Sequence, residues 1–143
     1  NHARFLPERM ASILGQGYDN LEIIVLDDAS TDDSLAVLGE IAAAAHVPVA
    51  LHVNETNSGN VFAQWRRGIE RATGELVFIC ESDDFCAPDF LERLVPHFAD
   101  RSVSLAFGRI ELTEADGSHR HGLARYREEA EPGIWDGPLK RPE

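Results

Sequence analysis

Four stretches of the chain space their apolar residues at helical intervals, and short apolar runs fall between them. Phe5, Leu6, Met10, Ile13 and Leu14 predict a helix over about 4–15, with Pro7 tolerated in its first turn. Leu35, Val37, Leu38 and Ile41 predict a second from about Asp32 to Ala45, with Ser30 or Thr31 as its N-cap. Phe62, Trp65, Ile69 and Ala72 give a third of roughly three turns, ending at Gly74. Phe90, Leu91, Leu94, Val95 and Phe98 give a fourth, opened by Pro88. The runs Ile23–Leu26, Val49–Val53, Glu75–Cys80 and Val103–Phe107 read as strands, the third apolar enough for burial on both faces. Alternating strand and helix implies an α/β fold, a mostly parallel sheet with helices on its faces. Beyond Gly108 the pattern weakens. Asp116-Gly117 suggests a hairpin, and 123–143 reads as an irregular tail, leaving 1–122 as the single domain.

Two of the predicted strands stop at acidic clusters, Asp27-Asp28 and Glu81-Ser82-Asp83-Asp84. In a parallel sheet both clusters lie at one edge, outside the carboxyl ends of the strands, where such folds bind ligands. Hard carboxylate oxygens there suit Mg²⁺ or Mn²⁺, and a metal so held could bridge a diphosphate. Each cluster can also be read as the cap of the helix that follows it. His119 and His121 read as exposed residues of the hairpin rather than a metal pair. The chain has neither a P-loop nor a Gly-x-Gly-x-x-Gly fingerprint.

Charge and composition narrow the picture further. A formal net charge of −12 over 143 residues argues against nucleic acid and anionic membrane surfaces as partners. No apolar run is long enough to span a bilayer, and no signal peptide is seen. Two cysteines, Cys80 and Cys86, give a reducing cytoplasm as the default location, with no support for a disulfide.

Three ordered motifs resemble the nucleotide-binding half of a family 2, GT-A fold glycosyltransferase. Ile-Ile-Val-Leu-Asp-Asp-Ala-Ser-Thr-Asp is similar to that family's strand followed by Asp-Asp-Gly-Ser-Thr-Asp. Asn57-Ser58-Gly59, with Gly68-Ile69 and Gly74-Glu75, is similar to its middle segment. Phe78-Ile79-Cys80-Glu81-Ser82-Asp83-Asp84, followed by Pro88-Asp89-Phe90-Leu91, is similar to its Asp-x-Asp metal motif and the next helix. Asn1-His2 fits the Tyr-Asn-His after its first strand, so the likeness covers roughly 1–107.

The resemblance implies transfer of a sugar, UDP-linked, from a nucleotide-diphosphate donor to the hydroxyl of a carbohydrate or lipid-linked acceptor, inverting and dependent on Mg²⁺ or Mn²⁺. It implies donor binding by Asp27, Asp28, Asn57, Gly59, Arg66 and Asp83, and metal binding by Asp84 and Asp83. Arg66 stands where the family often has Asn, reaching phosphate or forming a solvated charge, and Glu81 stands where it usually has Asp. The family's catalytic base lies well beyond the metal motif. None of Glu128, Glu129, Glu131 or Asp136 is singled out for that role. The family's first strand would precede Asn1, which leads one to expect exposed sheet edges and homo-oligomers formed through them. Two other readings stand beside this one. The chain could be an inactive nucleotide-sugar-binding scaffold. Leu26-Asp27-Asp28 also resembles a receiver's acidic pocket, though the only lysine, Lys140, is in the tail.

Overall fold

The structure, a computed structural model, describes residues 1–108. The chain divides into two compact units, Asn1–Ser104 and Leu105–Glu143. Of the second only 105–108 are described, and they carry no regular element. The predicted hairpin, the tail and the paired histidines lie outside the described residues.

In the first unit the element order is α1 (Leu6–Leu14), β1 (Ile23–Asp27), α2 (Ser34–Ala44), β2 (Val49–Val53), α3 (Val61–Ile69) and α4 (Phe90–Leu94). A 3₁₀ turn, Val95–Ala99, continues α4. β1 and β2 pair in parallel, Ile23 opposite Val49 and Asp27 opposite Val53, with α2 as the crossover. Side chains alternate along a strand, so the register sorts the sheet into two faces. Ile23 and Val25, with Val49 and Leu51 beside them, join Leu6, Met10 and Leu38 in the core under α1 and α2. Leu26 points the other way and meets α3, where a Cβ at Gly68 would lie 3.1 Å from its Cδ1. Helix α3 packs this close because residue 68 has no side chain.

Several elements differ from the sequence expectation. The run Leu76–Cys80 does not form a strand among the described residues. Leu76, Val77, Phe78 and Ile79 are 40, 50, 41 and 41% exposed. A β-strand exists through its ladder, and this run has no described strand to pair with. Val103–Phe107 likewise forms no strand. Helix α2 starts at Ser34 behind Asp33, not at Ser30 or Thr31, because the Asp32 carboxylate already accepts the Ser34 N–H at 3.0 Å. Helix α3 ends at Ile69 in tighter turns, Arg71 N–H to Gly68 O at 3.1 Å and Ala72 N–H to Ile69 O at 3.2 Å. Its apolar face is not its buried face. Phe62 is 68% and Ile69 50% exposed, while Gln64 is buried. Phe62 instead packs edge-on against Trp65, ring centroids 5.2 Å apart.

Helix α1 clamps the segment after the second acidic cluster. Gln16, just past the end of α1, is buried. Its amide donates to Ala87 O at 2.8 Å, and its carbonyl oxygen accepts Leu91 N–H at 2.9 Å. Ser12 Oγ accepts the Cys86 N–H at 3.3 Å. Arg9 is buried on the same helix, its guanidinium 5.9 Å from the Phe78 ring centre. Cys80 and Cys86 are free thiols, and burial pushes the Cys80 thiol up to about 11, against the pull of Arg9.

Candidate functional site: two acidic loops joined by the first residues of the chain

β1 ends in Asp27 and Asp28, which do different work. Asp27 lies on the core side and is buried; its Oδ1 accepts the Ser30 N–H at 2.9 Å. Its carbonyl accepts the Asn54 N–H at 2.9 Å, extending the β1–β2 ladder by one bond. The turn between passes through Ala29 at φ 59°, a left-handed conformation unusual for a residue with a Cβ. The related family motif has glycine at that place.

Asp28 faces the other side and gathers the loop after β2. Its Oδ1 accepts from Asn54 Nδ2 at 2.5 Å, Ser58 N–H at 2.9 Å and Gln64 Nε2 at 2.7 Å. Its Oδ2 accepts from Ser58 Oγ at 2.8 Å and shares the Ser58 N–H at 3.0 Å. A carboxylate has roughly four lone-pair sites, and these bonds use most of them. Partial burial pushes the Asp28 pKa up, but the Ser58 and Asn54 hydrogen bonds and the Arg67 charge hold it below its ordinary value. The predicted loop residues are part of the same knot. Asn57 donates to Asp28 O at 2.9 Å and accepts the Gly59 N–H at 2.8 Å. Gly59 takes φ 61°, which glycine alone adopts without strain. Asn60 then caps α3, its Oδ1 accepting Phe62 and Ala63 N–H at 3.0 and 3.2 Å. Arg66 lies apart from this knot. It is exposed and paired with Glu70 across one helical turn at 3.2 Å.

The second acidic loop is exposed at Glu81, Asp83 and Asp84 and turns on a bond from Asp84 N–H to Glu81 O at 3.4 Å. Ser82, between the acids, is half-buried, and its Oγ lies 2.6 Å from His2 Nδ1. The backbone N–H of the same His2 donates to Ser34 Oγ at 3.2 Å, at the start of α2. Asn1 Oδ1 accepts the Thr31 and Asp32 N–H groups at 2.6 and 3.2 Å, and Asp32 accepts the Ala3 N–H at 3.1 Å. Residues 1–3 therefore strap the loop after β1 to the loop at 81–84. His2 itself joins Ser34, the first residue of α2, to Ser82 in the second acidic loop, while Asn1 and Ala3 hold the loop after β1.

Among the described residues no three His, Cys, Asp or Glu side chains converge as a metal cage. Mg²⁺ and Mn²⁺ do not require one, since one or two carboxylates suffice when phosphate and water complete the shell. Exposed Asp83 and Asp84 fit that donor set; Asp28, with its oxygens committed to the loop, fits it poorly. The sequence did not reveal Asn54, Ser58 and Gln64 as partners of Asp28, nor the tie from His2 to Ser82. Hydrogen-bonding side chains bunched in the loop after β2 were the available signal for the first. A polar residue at position 64, between apolar neighbours, was another.

Comparisons with known proteins give the family of the chain. The family model described as glycosyl transferase family 2 matches residues 1–140. An uncharacterized glycosyltransferase of Haemophilus influenzae is 31% identical over 114 residues, 80% of this chain and 45% of that protein. Glycosyltransferase GlyG of Streptococcus pneumoniae is 30% identical over 82% of this chain and 39% of its own length. The chain thus spans less than half the length of these relatives. The crystal structure of S. aureus TarS 1-349 superposes with a TM-score of 0.61 at 25% identity, covering 70% of this chain and 30% of that one. With a GT-A-type α/β fold and a family match along nearly its whole length, this chain belongs to glycosyl transferase family 2.

Proposed function

We propose that this domain binds a nucleotide-diphosphate sugar, UDP-linked, at the rim formed by the two acidic loops. The full-length protein then transfers the sugar to an acceptor hydroxyl with inversion. The observation that supports this most directly is the strap of residues 1–3, which joins the loop after β1 to the loop carrying Asp83 and Asp84. The adjacent, exposed carboxylates of Asp83 and Asp84 repel each other until a cation neutralises them. Mg²⁺ or Mn²⁺, held by Asp84 and Asp83, would supply Lewis-acid stabilisation of the departing diphosphate. The knot formed by Asp28, Asn57 and Gly59 shapes the base and ribose side of the rim, and Asp27 stiffens the turn beneath it. Arg66 would have to leave Glu70 to reach a phosphate. Inversion needs a base to take the acceptor proton, and no described residue is given that role.

Calorimetry with UDP and Mn²⁺ on the full-length protein tests the reading. Asp84→Ala is expected to abolish metal-dependent binding while leaving the thermal melt in place, because Asp84 is exposed. Unchanged affinity in that variant would refute the assignment. A second reading, a nucleotide-sugar-binding scaffold without transfer activity, draws on Glu81 in place of the family's aspartate. UDP binding without transfer or donor hydrolysis by the full-length protein would favour it.

A further inference from the structure

Helix α3 buries an amide where an amphipathic helix ordinarily buries an apolar side chain: Gln64, 9% exposed, is the only buried residue in Val61–Ile69. A carboxamide is taken out of water only where its donors and acceptor are met. Gln64 Nε2 donates to Asp28 Oδ1 at 2.7 Å and to Ser58 Oγ at 3.1 Å. Its Oε1 accepts from Arg67 Nη1 at 3.5 Å. The amide thus faces an anion with its NH₂ and a cation with its oxygen. The reverse orientation would set carbonyl lone pairs against the carboxylate.

We infer that Gln64 is a positioning residue for donor binding, which fixes the Asp28 carboxylate and the Ser58 hydroxyl and so closes the loop 54–60 on the end of β1. This rests on the reading that the acidic rim takes the nucleotide sugar. Gln64 acts through Asp28 and Ser58, not by touching the donor. Without its NH₂, Asp28 Oδ1 loses one of three donors, and Ser58 Oγ loses the bond that orients its proton toward Asp28. The loop would then be held by Asn54, Asn57 and Ser58 alone.

The discriminating variant is Gln64→Glu, which keeps the shape and replaces the donor by an acceptor. It sets a second carboxylate within hydrogen-bond distance of Asp28. Two carboxylates that close share a proton, so the pair ionises fully only as pH rises. The other charged group facing the pair is Arg67, from α3; Asp27, one residue back, is turned to the Ser30 N–H. UDP affinity in the presence of Mn²⁺ is measured on the full-length protein at pH 8 and pH 5.5, each as a ratio to wild type at that pH. Gln64→Glu is expected to bind about tenfold more weakly at pH 8 and to recover to within about threefold at pH 5.5. Gln64→Leu is expected to lose about tenfold at both pH values. Wild-type affinity in Gln64→Glu at both pH values overturns the inference. So does a loss of equal size at both, which is what a packing role alone would give. If Gln64→Leu does not fold, the two-pH comparison of Gln64→Glu decides. If wild type binds no UDP, the donor-site reading fails by itself. Hydrogen exchange of the Ser58 amide then decides the positioning role: faster exchange in Gln64→Glu at pH 8 but not at pH 5.5 upholds it, and no change overturns it.

Discussion

Asp32 is an exposed carboxylate whose charge is needed by its neighbours. The Ser34 hydroxyl, followed by the Ala3 N–H, holds its pKa down from the ordinary 3.8 to about 2. A group with a lowered folded pKa stabilises the fold above its unfolded value, and that contribution is lost as pH falls through the folded one. The strap at residues 1–3 should therefore stay fastened at neutral pH and loosen between about pH 4 and pH 2. In an NMR titration the Ala3 and Ser34 amides should move with a midpoint near 2. A midpoint at the ordinary aspartate value would show that the bonds do not form. Glu22 is lowered in the same sense, first by the Thr73 hydroxyl and then by the Thr73 N–H, and so pins the exit of α3 to the entrance of β1. At this scale the sequence was a good guide to identity and a poor one to role. Asp27 and Asp28 stood out, but nothing in adjacent aspartates says that one serves the turn and the other the loop after β2. That division follows from strand alternation, which becomes legible only once the core face is known.

Among the elements, α1 carries more than its apolar spacing suggests. Its buried face holds Leu6 and Met10 in the core, while Ser12 and Gln16 grip the segment that leads from the second acidic loop into α4. Gln16→Leu would leave the Leu91 N–H and the Ala87 carbonyl without their partner, at a cost of about 1–3 kcal/mol. Urea unfolding should show that loss, with Leu91 N–H exchange accelerated beyond the global change. Continued protection of that amide would mean Gln16 does not hold α4. The strand–helix–strand order through β2 was readable in advance because β-branched runs and turn residues punctuate it clearly. The third strand was misjudged for a physical reason. Apolar composition states a wish for burial, whereas a strand also needs a neighbour with free backbone groups at the right height. In α3, apolar periodicity pointed to Phe62 and Ile69, but the close approach at Gly68 turned the helix so that Gln64 faces inward.

For the molecule as a whole, the described core is thin. Only Leu6, Met10, Ile23 and Leu38 are buried apolar residues, while Leu76 to Ile79 lie in the open. Among the described residues β1 is paired on one side only, and an open strand edge and an exposed apolar run each invite association with another chain. The 143-residue chain on its own should associate in a concentration-dependent way in sedimentation, and Val77→Lys should shift it toward monomer. A monodisperse monomer at every concentration would contradict this. No described helix is long and apolar enough to cross a membrane.

The left-handed turn at Ala29 has a consequence for how ready this rim is before any ligand arrives. A methyl group there excludes many of the conformers that glycine would permit to the unfolded chain. The residue can be held at φ 59° only because Asp27 and the strap around it dictate the path. The conformational entropy of this stretch is therefore surrendered during folding, leaving less to be lost when a nucleotide is captured.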